Sequence, residues 1–246
     1  SNGACVQFHR RWTPRISRPE AASKMIDDVR IIPLSESSVV VEFGRTISLK
    51  LNQKAIALAK SLNSSPFLGM IEAAPAYAST SVFFDVSRIQ TEFPHIDPHQ
   101  FVSDQIRTCL QVLVELDDQR PETIEIAFAV DEGEFDLAFV AERTKMSKSD
   151  VIELFTASEY RVFMLGFLPG FPYMGILDER LALPRRDVPR TRVPVGSVAV
   201  AGQQVGIYPQ DSPGGWHIIG KTSARMFDPD NLALLEPGMN VRFLAE

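Results

Sequence analysis

Cysteine is almost missing from this 246-residue sequence, and the two present, Cys5 and Cys109, stand far apart with no CxxC or Cys/His spacing. That excludes a disulfide framework and a cysteine-based zinc site, fits a reducing compartment, and leaves no metal site encoded. Long apolar runs are missing too. None reaches the roughly 18 residues that span a bilayer, and the N-terminus lacks the apolar stretch of a secretory signal, so no membrane partner and a cytoplasmic location are expected. Positive charge is outweighed by negative, 25 Lys and Arg against 31 Asp and Glu. The net charge is -6, of which the first 24 residues contribute +4 and the remainder -10. Nothing therefore concentrates the basic face that phosphates require, and no nucleic-acid partner is expected.

What is present is ordinary in bulk. Apolar residues make up 45% and charged residues 23%, which describes a globular chain, and the length suits two small domains better than one. Residues 1–24, rich in arginine and interrupted by Pro14 and Pro19, read as a leader or cloning remnant outside the fold, without order of its own. Residues 25–120 read as a small α+β domain. Val29 to Leu34 and Val39 to Phe43 are β-branched runs flanking a polar turn, the signature of a hairpin. Ile47, Leu51, Ala55, Leu58 and Leu62 recur at helical spacing, and residues 63–66 stop that helix. Two more strands are expected, over residues 68–74 and over 80–87, where Thr80, Val82, Phe84 and Val86 alternate with polar residues. Asp97, Pro98 and Gln100 open a helix that runs to about Leu116. Its buried stripe is Phe101, Ile106, Cys109, Leu110 and Leu113, so Cys109 reads as core packing rather than as a nucleophile.

The polar run over residues 117–122 suits a boundary, and residues 121–246 read as a second domain. Ile124, Ile126, Phe128 and Val130 alternate as a strand belonging either to the first sheet or to the second domain. A helical pair follows. Its first helix is capped by Asp136 or its neighbour, and its second by Ser147 with Asp150 three residues on, burying Val151, Leu154 and Phe155. From Tyr160 onward no amphipathic helix is evident, and short strands between Pro and Gly turns predict a compact barrel or sandwich.

The chemistry concentrates between Glu159 and Thr222. Glycine admits backbone shapes closed to other residues and proline fixes φ, so alternating them among aromatics specifies rigid irregular loops. Gly166, Gly170 and Gly175 with Pro169 and Pro172 place Phe167, Phe171 and Tyr173. Nearby loops add Arg190, Arg192, Gln203, Tyr208, Ser212, Trp216 and His217. Together these read as a pocket wall, although aromatics at such spacing also serve simply as core. Arg185, Arg186, Arg190 and Arg192 cluster, and Pro189 and Pro194 hold the run extended, with Arg190 and Arg192 on one face, where guanidinium forks suit carboxylate or phosphate. The alternative is a solvated loop paired with surface acids, the stronger reading for Arg185 and Arg186. Histidine titrates near neutrality, so His217 suits proton transfer, or else is a satisfied structural side chain. Gly215 to Thr222 matches GxxxxGK[ST], the phosphate-binding loop. Its interior is bulky and strand-like, and the following residues look extended rather than helical, so the match reads as accidental, with Lys221 left to bind an anion by charge alone.

GFLPGFPYMG, PRTRVPVGSVAVAG, GQQVGIYP and DSPGGWHIIGKT, in that order, resemble the signature blocks of the 5-oxoprolinase B-subunit family, also called allophanate hydrolase subunit 1 and related to a bacterial sporulation-kinase inhibitor. RIIPLSESSVVVEFG and PAYAS extend the resemblance across nearly everything from Met25. It implies an α+β N-terminal domain and a cyclophilin-like β-barrel, and an ATP-dependent hydrolase subunit that opens 5-oxoproline to glutamate with C- and A-subunit partners. It implies catalytic roles for Arg190, Arg192 and His217. It places Gln203, Tyr208, Ser212 and Trp216 beside them as substrate contacts in a site shared with the partner; Phe167, Phe171 and Tyr173, read from their loops, are expected to join these contacts, and Lys221 to be the cofactor-binding cation that neutralises a phosphorylated intermediate. Two other functions stay open: inhibition of a sensor histidine kinase through a protein surface, and a part in a urea-carboxylase or allophanate-type amide hydrolase. A cyclophilin-like fold by itself implies no isomerase activity.

Overall fold

A computed structural model describes residues 29–112, 121–131 and 133–246. The expectations for residues 1–24, for Leu113 and for most of the boundary run lie outside the described residues. The chain forms an antiparallel four-stranded sheet with helices on one face, followed by a closed seven-stranded barrel.

The hairpin forms as expected, with β1 (Arg30–Ser35) and β2 (Ser38–Glu42) joined at Glu36 and Ser37. Val39 and Val41 point to the core, and Val40 lies on the other side of the pleat, half-buried. Helix α1 (Leu49–Ser64) buries Ala55, Leu58 and Leu62 against the sheet. Ile47 departs from the expected stripe, because the helix begins after it and leaves it 48% exposed. Strands β3 (Met70–Pro75) and β4 (Ser79–Phe84) complete the sheet in the order β1-β2-β4-β3. The alternation expected to continue through residue 87 stops at Phe84. There Asp85 accepts a hydrogen bond from the Arg88 N–H at 3.0 Å and caps a short helix, α2 (Val86–Glu92). Helix α3 (Pro98–Val112) closes the face with Val102, Ile106 and Leu110, while Phe101 and Cys109 pack at its margin. The Cys109 thiol donates to Ser61 Oγ at 3.3 Å, as befits a packed side chain.

Strand β5 (Thr123–Val130) belongs to the barrel. Two helices, α4 (Leu137–Thr144) and α5 (Lys148–Thr156), separate it from β6 (Glu159–Leu165). Ser147 and Asp150 form the expected capping box of α5, with Val151 and Phe155 buried and Leu154 partly so. The barrel continues through β7 (Pro172–Gly175), β9 (Ser197–Ala201), β10 (Gln204–Ile207), β12 (His217–Lys221) and β15 (Asn240–Ala245). It closes where β15 pairs in parallel with β5, a contact that joins the last strand to the first. Inside lie Phe128, Tyr160, Val162, Val200, Val205, Ile219 and Phe243. Outside the barrel, β8 (Arg190–Val193) pairs with β11 (Ser212–Gly214), and β13 (Phe227–Asp228) with β14 (Leu232–Ala233). After Tyr160 the only helical turn among the described residues is a 3₁₀ segment at Glu179–Leu181.

Sheet and barrel meet along α1 and the start of β4. Asn52, fully buried, donates to the carbonyls of Ala76 and Phe163 at 3.0 Å each and accepts from Arg161 Nε at 3.0 Å. Tyr77 stacks obliquely on Phe163 and bonds Gln204 through its hydroxyl, and burial pushes its phenol well above the usual tyrosine range.

Candidate functional site

Asp136 stands at the N-cap of α4 as expected, yet its carboxylate makes no cap bond. The Asp131 carboxylate takes over, accepting from the N–H groups of Gly133, Glu134, Phe135 and Leu137 at 2.8–3.1 Å. That frees Asp136, 3% exposed, to accept from Arg190 at 2.7 and 2.9 Å, from Arg186 at 2.6 Å and from the Ile218 N–H at 2.9 Å. Burial pushes this carboxyl up, but Arg190, the Ile218 N–H and Arg186 together outweigh it and hold it below the usual carboxylate range. Arg190, expected to be catalytic, is therefore occupied as half of a two-arginine clamp. Arg186, expected to be a solvated loop residue, is the other half.

Arg192 lies two residues on in the same extended strand and meets a different acid. Its guanidinium bonds Asp211 at 2.6 Å and is 77% exposed. The Val195 N–H and Arg192 hold the Asp211 carboxyl low, and Lys221 adds to the same field. Lys221 ends β12 and is exposed, while His217 begins it, so about 13 Å of strand separates them at 3.3 Å per residue. The predicted cations thus fall into two groups: Arg190 with His217 at one end of β12, Arg192 with Lys221 at the other.

Phe171, Tyr173, Tyr208 and Trp216 come together, with ring centroids 5.0–5.8 Å apart in edge and tilted contacts. Phe171, Tyr208 and Trp216 are nearly wholly buried and serve as core, and Tyr173 is half-buried against them. Gly206 makes this possible, since a Cβ there would lie 2.7 Å from Phe171 and 3.0 Å from Trp216. Phe167 packs edge-on against Phe171 but is 61% exposed and holds a left-handed φ of 68°. Ser212 is buried in β11 and donates only to the neighbouring Pro213 carbonyl at 3.2 Å. Gln203 does not join the set. It sits exposed in the β9–β10 turn, beside a different hollow with Asp178 and Arg180, while the next residue, Gln204, reaches Tyr77. Tyr77 is the residue that sequence reading missed: its ring lies 6.4 Å from Tyr173, bringing the first sheet to the aromatic cluster.

His217 is 3% exposed, stacks on Phe139 of α4 and places Nε2 2.8 Å from the Pro184 carbonyl. The phosphate-loop match fails in geometry. Gly215 to Thr222 contains strand β12, paired with β9 on one side and β5 on the other, so its N–H groups serve the ladder and cannot turn inward around phosphate. Groups of side chains suited to hold a metal ion are absent among the described residues, and no described helix is long and apolar enough to cross a membrane.

The fold is thus a barrel closed by parallel first and last strands, with a helical pair set between its first two strands and an α/β sheet docked on it. Residues 29–235 match the family described as carboxyltransferase domain, subdomain C and D, and the chain belongs to it, within the 5-oxoprolinase B-subunit family. It is 37% identical over 221 residues to the 5-oxoprolinase B-subunit of Bacillus subtilis (strain 168), covering 87% of this chain and 92% of that one. It is likewise 37% identical over 218 residues to the protein of that name from Escherichia coli O157:H7, covering 87% and 94%. The solved structure of TTHA0988 superimposes with a TM-score of 0.73 at 36% identity, over 85% of this chain; this chain spans only 40% of that longer one. The urea amidolyase of K. lactis, 18% identical with a TM-score of 0.72 over 89% of this chain and 15% of that one, shares the fold.

Proposed function

We propose that this chain is the B-subunit of an ATP-dependent 5-oxoprolinase, opening 5-oxoproline to glutamate with C- and A-subunit partners, and inactive without them. The observation that carries this reading is identity of 37% to a 5-oxoprolinase B-subunit over nearly the full length of both chains. In this reading residues 25–120 and 121–246 are two domains, the second cyclophilin-like.

5-Oxoproline is a cyclic amide bearing a carboxylate, and opening it requires charge stabilisation at the amide carbonyl. Arg190 is committed to buried Asp136, so the cationic face left at the surface is that of Lys221 and of Arg192, itself paired with Asp211, both exposed and set to meet a partner surface. ATP enters through the assembled complex, since strand β12 offers no phosphate cradle. Sedimentation velocity of this chain with a C-subunit homologue tests the assembly. A stable heteromeric species is expected; two independently sedimenting proteins at micromolar concentration would sink the reading.

A further inference from the structure

Three residues other than glycine hold a positive φ among the described residues. Lys145 does so as the left-handed cap that ends α4, an ordinary place for it. The other two are large, apolar and outward: Phe167 at φ 68° and Leu232 at φ 61°, with 61% and 66% of their surfaces open. Left-handed backbone crowds any Cβ, and a bulky residue there is an outlier. Phe167 stands at the apex of a three-residue turn, closed by the Leu168 N–H on the Gly166 carbonyl at 2.8 Å. With a positive central φ such a turn is rare and strained. Leu232 follows the turn between β13 and β14, where Asp228 accepts from the N–H groups of Asp230 and Asn231 at 2.9 and 3.3 Å. Glycine would relax both positions, and neither side chain offsets its strain by burial.

The two turns adjoin. A Cβ at Gly170, three residues past Phe167, would fall 2.7 Å from the Met226 carbonyl oxygen and 2.8 Å from Phe227 Cβ, and Phe227 begins β13. Leu234, also exposed, extends the apolar surface along the same hairpin, its N–H donating to Met226 at 3.0 Å. Phe167 is braced from behind by an edge contact with buried Phe171. Strained outliers persist where the surroundings over-determine them and gather at clamps, and exposed apolar clusters mark interfaces. The charge here is acidic. Asp228 is paired with Arg225 at 2.6 Å, but Asp230 and Glu236 are exposed and have no cationic partner among the described residues. A second copy docking on the same face about a two-fold axis would set these acids against themselves, and an anionic membrane surface would be repelled. What fits is a protein surface with an apolar cleft and a basic rim.

We propose that Phe167 and Leu232 are the apolar anchors through which this chain docks a companion subunit, whose facing surface is an apolar cleft rimmed by lysine and arginine. Identifying that companion with the C-subunit rests on the function proposed above. In TTHA0988, of which this chain spans 40%, a module of this kind is joined covalently to other sequence. Phe167, expected among the substrate contacts, is on this account a partner contact. A few central side chains carry most of the energy of such interfaces, so strained turns that hold them outward in advance lower the ordering cost of association.

Biolayer interferometry of the full chain against a C-subunit homologue, beside urea unfolding of the chain alone, tests this. Phe167→Gly and Leu232→Gly should each weaken binding by roughly tenfold or more, mainly through faster dissociation. The urea midpoint of each variant should hold or rise, because glycine relaxes the left-handed backbone. Asp230→Lys should slow association, with a loss that shrinks as salt is raised. Affinity unmoved by both glycine variants overturns the proposal. So does weakened binding with a lowered urea midpoint, the mark of a side chain that merely packs, or a homodimer of this chain that the same variants dissociate. A wild-type chain that does not bind the homologue removes the companion together with the assembly proposed above. Turnover by the assembled complex is scored separately: turnover with binding unmoved by the variants rejects the anchors and spares the function, whereas anchor-dependent binding without turnover keeps the anchors and rejects the function.

Discussion

At the scale of single residues, the Asp136 carboxylate gathers Arg186, Arg190 and the Ile218 N–H in a place almost closed to water. Removing its charge while keeping its shape leaves two guanidiniums beside each other with no negative charge between them. Asp136→Asn should therefore cost on the order of 3 kcal/mol of stability, measured as a shift in the urea midpoint. The folded carboxyl sits below its unfolded value of about 4, so this stabilisation is complete above that pH and fades as pH falls through the folded value. The acid limb of a thermal-stability profile should flatten in the variant; an unchanged limb would show that the clamp does not matter. None of this was legible from spacing. Asp136 precedes a helix and reads as its cap, and the arginines that claim it lie 50 and 54 residues away.

At the scale of elements, what the sequence revealed was local. The hairpin, α1, α3 and the α5 capping box follow from periodicity and cap residues that act within a few positions. Helix α2 was hidden because it is seven residues long and buries only Ile89, too little to set a period. That these aromatics gather was legible from their glycines, and how deeply they lie was not, because burial of Phe171, Tyr208 and Trp216 depends on β10 packing against them. Gly206→Ala tests that packing. The added methyl strikes both rings and should destabilise by about 1–3 kcal/mol, whereas a neutral result would mean the rings have room to shift. Strand β12 carries a second test. Lys221→Ala should leave the nucleotide affinity of the isolated chain unchanged, because the strand cannot form a phosphate cradle. A large loss of ATP binding by calorimetry would reverse that conclusion.

At the scale of the whole molecule, two cores are joined by few polar contacts, chiefly Asn52 with Arg161 and the carbonyls of Ala76 and Phe163. Burial already disfavours the Arg161 charge, so taking away its partner leaves several buried groups unsatisfied. Asn52→Ala should lower stability by about 3 kcal/mol and separate the unfolding of the two cores in calorimetry; one unshifted transition would show the junction lies elsewhere. Barrel closure by β15 on β5, across more than a hundred residues, was equally invisible to local pattern. The most direct measurement of the central claim is ATP-dependent release of glutamate from 5-oxoproline, by this chain with its A- and C-subunit homologues and with each left out in turn. The account predicts turnover only when all three are present. Unchanged turnover without this chain, or none with it while the partners work beside another B-subunit, would contradict it.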